Sequence, residues 1–248
     1  MKFHSMAEWW SFDDGPQFLY TQVIYHDGNH YFSAKTPERV TNPEDIPVLD
    51  QEPTSFEKIP NEHIWPLYES HLTICPNPDR PDVYVKQPRL TSYTGSDELG
   101  LYLVQEARIC QTLIENPHQN LARYLGCVVE AGRITGLCFE RYTETLAERL
   151  QNTRWRSENN DSFLRQVKAG IDYLHTLNLV HNDIHSDNVM FADQSDVPVI
   201  IDFDSCASRG CPLPSKRGKL PEGAQTAEFE NDDFALELLR RESYEMMC

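Results

Sequence analysis

Three polar side chains in the second half of the sequence have types that can supply a base and two ligands for a metal ion. Asp183 and Asn188 are five residues apart, and Asp202 lies 19 residues after Asp183. Two carboxylates and a carboxamide can provide one base and two oxygen ligands for a hard divalent cation such as Mg²⁺. Phosphoryl transfer depends mainly on positioning and on charge neutralisation. The three residues therefore predict a site for transfer of a phosphoryl group.

The segments that contain these residues resemble two protein-kinase motifs. Asp183 and Asn188 stand in His-Asn-Asp-Ile-His-Ser-Asp-Asn, which resembles the catalytic loop H-R-D-x-x-x-x-N, and Asp202-Phe-Asp resembles the metal-binding D-F-G. The resemblance implies that Asp183 accepts or orients the proton of the attacking hydroxyl, and that Asn188 and Asp202 bind Mg²⁺. His185 takes the position at which serine/threonine kinases carry lysine. It is expected either to contact a phosphate of ATP or to face solvent.

The phosphate-binding part of the resemblance lies upstream. Residues 82–86 predict a strand that ends on Lys86, and its Val-Tyr-Val-Lys sequence resembles the V-A-I-K motif. Residues 96–115 have the periodicity of a helix, which carries Glu106. The resemblance implies that Lys86 binds the phosphates of ATP and that Glu106 fixes this lysine in an ion pair.

The adenine-binding part of the resemblance lies after a strand predicted for residues 133–139. Glu140 and Tyr142 resemble positions in the kinase hinge, whose backbone binds adenine, and Phe139 resembles a bulky gatekeeper. Downstream, the resemblance implies that Asp232 holds the backbone of the catalytic loop. His181 is expected to be buried and to bond backbone near Asp202.

The resemblance covers residues 63–240 and implies an α+β, two-lobed fold. We expect an N-lobe at 63–142, made mainly of antiparallel sheet plus the Glu106 helix, and a mainly helical, partial C-lobe at 143–248. Residues 1–62 are expected to form an N-terminal extension. It contains a β-hairpin at 17–34 around Asp27-Gly28, because Asp-Gly is a strong hairpin turn signal, and an extended connector at 35–62.

The remaining elements follow from apolar periodicity. Residues 63–75 are expected to supply a strand, 143–150 a short helix, and 189–191 and 197–201 further strands. A helix at 162–177 would bury Phe163, Val167, Ile171 and Leu174, and a last helix at 229–241 would bury Phe234, Leu238 and Leu239.

Four departures from the kinase pattern put catalysis in question. No glycine lies between Gly28 and Gly95, so the glycine-rich loop is missing before Lys86. Asn182 replaces the arginine that commonly pairs with a phosphorylated activation loop, and Asp204 replaces the glycine of D-F-G. The C-lobe is expected to be truncated, which leaves apolar surface for a protein partner to cover.

Three functions therefore stay open. The leading one is a Mg·ATP-dependent protein kinase, of serine/threonine type, whose protein substrate is unknown. The second is a pseudokinase that binds a nucleotide or a partner without turnover. The third is a small-molecule phosphotransferase of the aminoglycoside or choline type, because H-x-D-x-H-x-x-N followed by D-F-D also resembles that class.

Composition excludes some other classes. The formal net charge of −17 over 248 residues argues against nucleic-acid binding, which depends on Lys and Arg neutralising phosphates. No apolar run approaches the ~20 residues that span a bilayer, and residues 1–10 lack the apolar stretch of a secretory signal. We expect an intracellular protein, cytoplasmic or nuclear, without membrane contact. Its seven cysteines contain no C-x-x-C and are expected to be reduced thiols.

Overall fold

The chain forms two compact units, each assembled from three separate stretches. A computed structural model describes residues 1–12, 15–46, 56–151 and 160–245. The first unit comprises Met1–Tyr68, Gln87–Leu103 and Glu130–Thr135, and the second comprises Glu69–Lys86, Val104–Val129 and Gly136–Cys248. Helices and antiparallel sheets are both present, which confirms the predicted α+β class. The predicted domain boundaries after residues 62 and 142 stay predictions.

The first unit contains a four-stranded antiparallel sheet. Its strands are adjacent in chain order: β1 Lys2–Ser11, β2 Gln17–His26, β3 Tyr31–Thr36 and β4 Glu57–Ile59. The predicted hairpin is confirmed, because β2 and β3 pair around Gly28, whose φ of 105° suits glycine. The sequence reading missed β1. The segment at 35–62 that was expected to be an extended connector contains β4 and the first residues of a short helix, α1 Asn61–Ile64.

An apolar cluster holds the first unit together. Its buried members come from β2, β4, α1 and a 3₁₀ turn at Leu90–Ser92: Ile24, Ile59, Ile64, Leu90 and Tyr93. Gln22, also buried, donates through Nε2 to Ser33 Oγ at 3.0 Å and to the carbonyl of Tyr93 at 3.1 Å. The turn at 90–92 is therefore joined to the sheet by both apolar packing and a buried hydrogen bond.

A three-stranded sheet carries the predicted phosphate lysine. Its strands are β5 Val83–Lys86, β6 Tyr124–Glu130 and β7 Arg133–Glu140, in the order β5-β7-β6. The helix predicted at 96–115 is α2, Glu98–Glu115. The strand expected in residues 63–75 is wrong. In place of a ladder, this segment makes isolated bridges at Leu67 and Ile74.

The helical part of the second unit follows the predicted order. It contains β8 Glu144–Thr145, α3 Leu146–Gln151, α4 Asn160–Thr176, β9 Leu179–Val180, β10 Val189–Phe191, β11 Val199–Ile200, β12 Ala207–Ser208 and α5 Phe229–Glu245. The four apolar residues predicted for α4 are all buried: Phe163, Val167, Ile171 and Leu174. Among the described residues, no helix is both long and apolar enough to cross a membrane.

The buried face of α5 agrees only in part with the predicted apolar positions, because Leu239 is buried and Leu238 is half-buried. Phe234 is exposed, whereas the buried positions are Asn231, Asp232, Ala235, Leu239 and Ser243. Three of these are polar, and Asn231 and Asp232 bond the loop that precedes Asp183. Apolar periodicity misplaced the face because the helix begins its buried stripe with hydrogen-bonding residues. The predicted partner surface of the C-lobe stays a prediction.

The cysteines agree with the expectation of reduced thiols as far as the structure describes them. Cys75, Cys110, Cys127, Cys138 and Cys206 are free and buried, and Cys211 is free and exposed. Cys248 lies outside the described residues. Burial raises the pKa of the Cys110 and Cys206 thiols well above their ordinary value, so these two residues act as small apolar side chains.

Gly126 gives a direct test of the contact between β6 and residues 73–75. Its φ is 123°, and a Cβ there would lie 2.6 Å from the backbone nitrogen of Cys75. We expect Gly126→Ala to lower the free energy of unfolding by about 3 kcal/mol, because both backbone strain and a clash result. Chemical denaturation followed by circular dichroism measures this.

Gly132→Ala is the matched control, because Gly132 also has a positive φ but faces open space. We expect it to cost only about 1 kcal/mol, for the left-handed backbone alone. Equal losses for the two variants would contradict the close approach at Gly126.

Candidate active site

A partly buried ammonium group stands at the centre of the candidate site. Lys86, the last residue of β5, donates through Nζ to both carboxylate oxygens of Glu106 at 2.7 Å each and to Asp202 Oδ1 at 2.5 Å. Glu106 lies in α2 and is only 2% exposed, and it also accepts from the backbone N–H of Phe203 at 3.2 Å. The structure thus contains the Lys86–Glu106 ion pair that the resemblance implied, and it joins Asp202 to this pair.

The charged groups at this centre shift one another's pKa values. Burial acts to lower the pKa of Lys86, but the carboxylates of Glu106, Asp202 and Asp204 together raise it above its ordinary value. Burial also acts to raise the pKa of Asp202, yet the ammonium groups of Lys86 and Lys216 lower it well below its usual range. At neutral pH the site therefore holds a charged Lys86 against an ionised Asp202.

The predicted base and one predicted metal ligand are joined by hydrogen bonds. Asn188 donates through Nδ2 to the carbonyl of Asp183 at 2.9 Å and to Asp183 Oδ2 at 3.1 Å, and both residues are buried. A 3₁₀ turn at Ser186–Asn188 brings the two side chains together. Because the amide nitrogen of Asn188 is engaged, its Oδ1 is the atom that can bind a cation.

Asp232 holds the loop before Asp183. Its carboxylate, fully buried at the start of α5, accepts from the backbone N–H of His181 at 2.9 Å and of Asn182 at 2.8 Å. His181 is also fully buried, and its Nε2 bonds the carbonyl of Ile201 at 3.1 Å. These contacts have the geometry that the resemblance implied for Asp232 and His181. They tie the Asp183 loop to the residue just before Asp202.

Two residues of the site have left-handed backbone. Asn182 has a φ of 61° and Asp202 a φ of 64°. Asn and Asp tolerate this region better than other side chains do, because their short polar groups hydrogen-bond locally. The side chain of Asn182 accordingly bonds the carbonyls of Val180 and Ser205. Asp204 is not among the residues with positive φ, so its backbone does not require the glycine that the kinase pattern has there.

His185 faces Asp183 across the turn. Its Nε2 lies 3.7 Å from Asp183 Oδ1, and its Nδ1 accepts from the backbone N–H of Asp187 at 3.3 Å. The Asp183 carboxylate raises the pKa of His185 above its ordinary value, against the opposing effect of burial. The side chain is also 42% exposed. His185 therefore combines a carboxylate contact with partial exposure.

A cavity of about 360 Å³ opens beside Lys86. This volume lies in the range of small-molecule sites. Its walls include the predicted hinge and gatekeeper residues together with the three residues of the ion-paired centre. The lining residues are Tyr84, Lys86, Glu106, Ala122, Phe139, Glu140, Arg141, Tyr142, Met190, Ile201 and Asp202. Glu140 and Tyr142 thus line the same cavity as Lys86 and Asp202. The sequence analysis expected this arrangement.

Lys216 is a site residue that the sequence analysis missed. Its Nζ donates to Asp202 Oδ2 at 3.1 Å and also to Asp204 Oδ2. Asp204 in addition lies 3.6 Å from Lys86 Nζ. Lys216 stands in a segment that was expected to be loop, and no motif spacing marks it. Only the folded structure shows that this lysine neutralises the predicted metal ligands.

The donor set fits a hard divalent cation. One carboxylate oxygen from each of Glu106, Asp202 and Asp204 lies within 4.8 Å of the others. Glu106 is committed to Lys86, which leaves the carboxylates of Asp202 and Asp204 as oxygen donors. Carboxylate and carboxamide oxygens are the ligands that Mg²⁺ prefers.

Comparison with known families agrees with this geometry. A family model described as Protein kinase domain matches residues 81–217, which contain β5, α2, the Asp183 loop, Asp202 and Lys216. The chain belongs to the protein kinase family. The resemblance stated from the motifs is thereby confirmed, and protein kinases in general use ATP and Mg²⁺.

Curated relatives of this kinase domain are much longer proteins. It is 31% identical over 111 residues to mitogen-activated protein kinase kinase kinase nsy-1 of Caenorhabditis elegans. This match covers 42% of the chain and 7% of that protein. It is 32% identical over 90 residues to human mitogen-activated protein kinase kinase kinase 6 and 33% identical over 89 residues to mouse mitogen-activated protein kinase kinase kinase 15. Each of these two matches covers 35% of the chain and 7% of the relative.

The contact of His185 with Asp183 predicts a pH-dependent contribution to stability. The pKa of His185 is higher in the folded protein than in the unfolded chain, where it is about 6.5. Its contribution to stability is therefore complete below the unfolded pKa and is lost as pH rises through the folded pKa. We expect the free energy of unfolding of wild type to exceed that of His185→Asn by less than about 1 kcal/mol at pH 5.5, because the pair is partly exposed. The difference should shrink toward pH 8.5, as measured by urea denaturation.

The Asp183→Asn background is the control for this pair. There the same His185→Asn change should lose its pH dependence, because the carboxylate partner is gone. A stability difference that grows with pH in the wild-type background would contradict the assignment.

Proposed function

We propose that this kinase domain catalyses Mg·ATP-dependent transfer of the γ-phosphoryl group to a protein serine or threonine hydroxyl. One observation carries the proposal. A single compact unit contains the Lys86 ion-pair centre, the Asp183–Asn188 pair and a cavity of about 360 Å³ lined by Lys86, Glu140, Tyr142 and Asp202. These are the groups that positioning and charge neutralisation in phosphoryl transfer require.

Each residue has a defined task in this proposal. Lys86, held by Glu106, places positive charge where the non-transferred phosphates of ATP bind. Asp202 and Asn188 hold Mg²⁺, with Asp204 as a third oxygen donor. When bound, Mg²⁺ neutralises charge on the phosphates. Asp183 accepts or orients the proton of the attacking hydroxyl, and its fixed hydrogen bonds from Asn188 keep it in one orientation.

The cavity wall supplies the adenine site in this proposal. Glu140 and Tyr142 belong to a segment fixed on both sides by backbone hydrogen bonds. Glu140 N donates to the carbonyl of Arg123, and Arg141 N donates to the carbonyl of Asp82, both at 2.9 Å. A fixed backbone of this kind orients a planar base at low entropic cost. Phe139, which is 6% exposed, forms part of the same wall.

Two features support the serine/threonine type. His185 lies at the position where serine/threonine kinases carry lysine, and its Nε2 lies 3.7 Å from Asp183 Oδ1. The chain is also similar to segments of three mitogen-activated protein kinase kinase kinases. The match to the protein kinase model favours a protein acceptor over the small molecules of aminoglycoside-type phosphotransferases.

A pseudokinase is the second candidate, and a specific observation favours it. No glycine lies between Gly28 and Gly95. Among the described strands, β5 pairs with β7 alone, so no glycine-rich hairpin is paired with the strand that carries Lys86. Without backbone N–H groups above the phosphates, the γ-phosphate is held mainly by Lys86 and the cation. Nucleotide binding without turnover is the outcome this candidate predicts.

Substitution of Asp183 separates these candidates. We expect Asp183→Asn to lower phosphoryl transfer at least about 100-fold, because the proton acceptor is lost. Binding of Mg·ATP, followed by thermal shift, should change little. Transfer is measured with radiolabelled ATP and a mixture of casein and myelin basic protein, followed by mass spectrometry of the modified residues. Phosphoserine or phosphothreonine is the expected product.

Asp193→Asn is the matched control, because Asp193 is an exposed aspartate beyond β10. It should transfer phosphate at the wild-type rate. Undiminished transfer by Asp183→Asn would remove Asp183 as the base. Mg·ATP binding without transfer by wild type would establish the pseudokinase instead.

A further inference from the structure

The strand β1 leaves one edge of the four-stranded sheet open. Among the described strands, β1 pairs with β2 alone. Residues 5–9 form its regular part, because the pairing with β2 is irregular just before and just after them. Alternate residues of a strand direct their N–H and C=O groups to opposite sides. Every second residue of 5–9 therefore points these groups outward, and no described backbone hydrogen bond joins them to another element.

A groove of about 670 Å³ follows this edge. Its walls are residues 4–9 of β1 and residues 88–92, which include the 3₁₀ turn. Successive side chains of a strand point to opposite faces, so six consecutive residues can line one groove only along the edge of the strand. The second wall is fixed to the sheet. Trp9 donates through Nε1 to the carbonyl of Thr91 at 3.2 Å, and Gln22 donates to the carbonyl of Tyr93.

The composition of the edge suits pairing with a further strand. Proteins usually protect a long edge strand with charged side chains, proline or bulges. Residues 5–9 contain one charged side chain, Glu8, and its carboxylate is engaged by Arg39 at 2.9 Å and by Trp10 Nε1 at 3.0 Å. The opposite edge strand, β4, is only three residues long. An added strand of five residues therefore fits β1 and not β4.

The surroundings of this edge carry positive charge in an acidic protein. Lys2 and Arg89 are exposed and have no ion pair among the described residues, whereas Glu8 and Arg39 neutralise each other. The formal net charge of the chain is −17. Charges that lie more than about 8 Å away are largely screened at physiological ionic strength. The local excess of positive charge therefore favours an acidic partner.

We propose that the edge of β1 binds an extended, acidic segment of a partner protein as a fifth strand of this sheet. Backbone hydrogen bonds to residues 5–9 supply affinity, and the groove along residues 88–92 accommodates alternate side chains. Carboxylates of the segment face Arg89. This site lies within the first unit, and it does not depend on the proposed phosphoryl transfer.

A second copy of the chain fits the same edge less well. Symmetric pairing of β1 with its own copy would place identical surface patches against each other. Lys2 and Arg89 of one copy would then meet the same residues of the other copy. Two chains that each carry a formal charge of −17 also repel each other as a whole.

Nuclear magnetic resonance with synthetic peptides tests the site. The probe is Glu-Val-Thr-Val-Glu, acetylated and amidated at its ends and added to the full chain. We expect it to shift the backbone amide signals of residues 4–9 and 88–92 and to leave those of β4 unchanged. The basic peptide Lys-Val-Thr-Val-Lys should bind at least about tenfold more weakly, because it lacks the carboxylates that face Arg89.

Methylation of the peptide backbone distinguishes a strand ladder from binding by charge alone. One variant of the acidic peptide carries N-methyl groups on both valines, and the other carries them on the remaining three residues. Only one of these two sets of N–H groups faces β1 in an added strand. We expect one methylated peptide to lose binding and the other to keep it. Loss by both, or by neither, would overturn the ladder.

Charge variants test the recognition of carboxylates. We expect Arg89→Glu to weaken binding of the acidic peptide about tenfold, because repulsion replaces attraction. Lys58→Glu is the matched control. It changes the net charge equally, but Lys58 is exposed on β4 and has no ion pair among the described residues. This variant should bind the peptide as wild type does.

Three results would overturn the proposal. They are failure of the acidic peptide to bind, equal binding of the acidic and basic peptides, and equal affinity in Arg89→Glu and Lys58→Glu. Dimerisation that changes the amide signals of residues 4–9, and that the acidic peptide does not reverse, would assign the edge to a second copy instead. Each of these results is independent of whether the protein transfers phosphate.

Discussion

The ammonium group of Lys86 is the point on which the architecture of the site depends. It lies among the carboxylates of Glu106, Asp202 and Asp204, which come from α2 and from the segment after β11. Breaking a buried pair on one side leaves an uncompensated charge, which costs far more than an exposed pair contributes. Lys86 therefore fixes where β5, α2 and the Asp202 segment can lie within the second unit.

A second set of contacts transfers that constraint to the Asp183 loop. Asp232 binds two successive backbone N–H groups of the loop, and His181 bonds the carbonyl of Ile201, the residue before Asp202. The loop and the metal-ligand segment are thus fixed to each other through the buried side chains of Asp232 and His181, which bond backbone groups. Such support keeps the residues that contact a ligand in place, because their orientation no longer depends on their own rotamers alone.

Much of the site could be predicted because its residues follow each other at fixed spacings. Lys86, Glu106, Asp183, Asn188 and Asp202 were selected from sequence. The structure joins Lys86, Glu106 and Asp202 at one centre that lines one cavity, and it pairs Asp183 with Asn188. Lys216 could not be found in this way. Its contact depends on the path of a loop, and a single lysine in a loop carries no periodic signal.

The errors in the fold have a similar physical origin. Residues 63–75 contain enough apolar side chains for a strand, yet Ile74 forms only an isolated bridge with Cys127, close to the positive φ of Gly126. The face of α5 was misplaced because Asn231 and Asp232 are buried through hydrogen bonds. In both places tertiary contacts outweighed the local pattern of hydrophobicity.

The division of the chain between its two units has a practical consequence for the design of protein fragments. The apolar cluster of the first unit takes Ile24, Ile59 and Ile64 from the N-terminal stretch, but it also takes Leu90 and Tyr93 from residues beyond β5. A fragment that stops at residue 62 would lack Ile64 as well as both of these side chains and would expose the apolar faces they cover. No single cut of the coding sequence releases the first unit by itself, because Glu69–Lys86 of the second unit stands between two of its stretches.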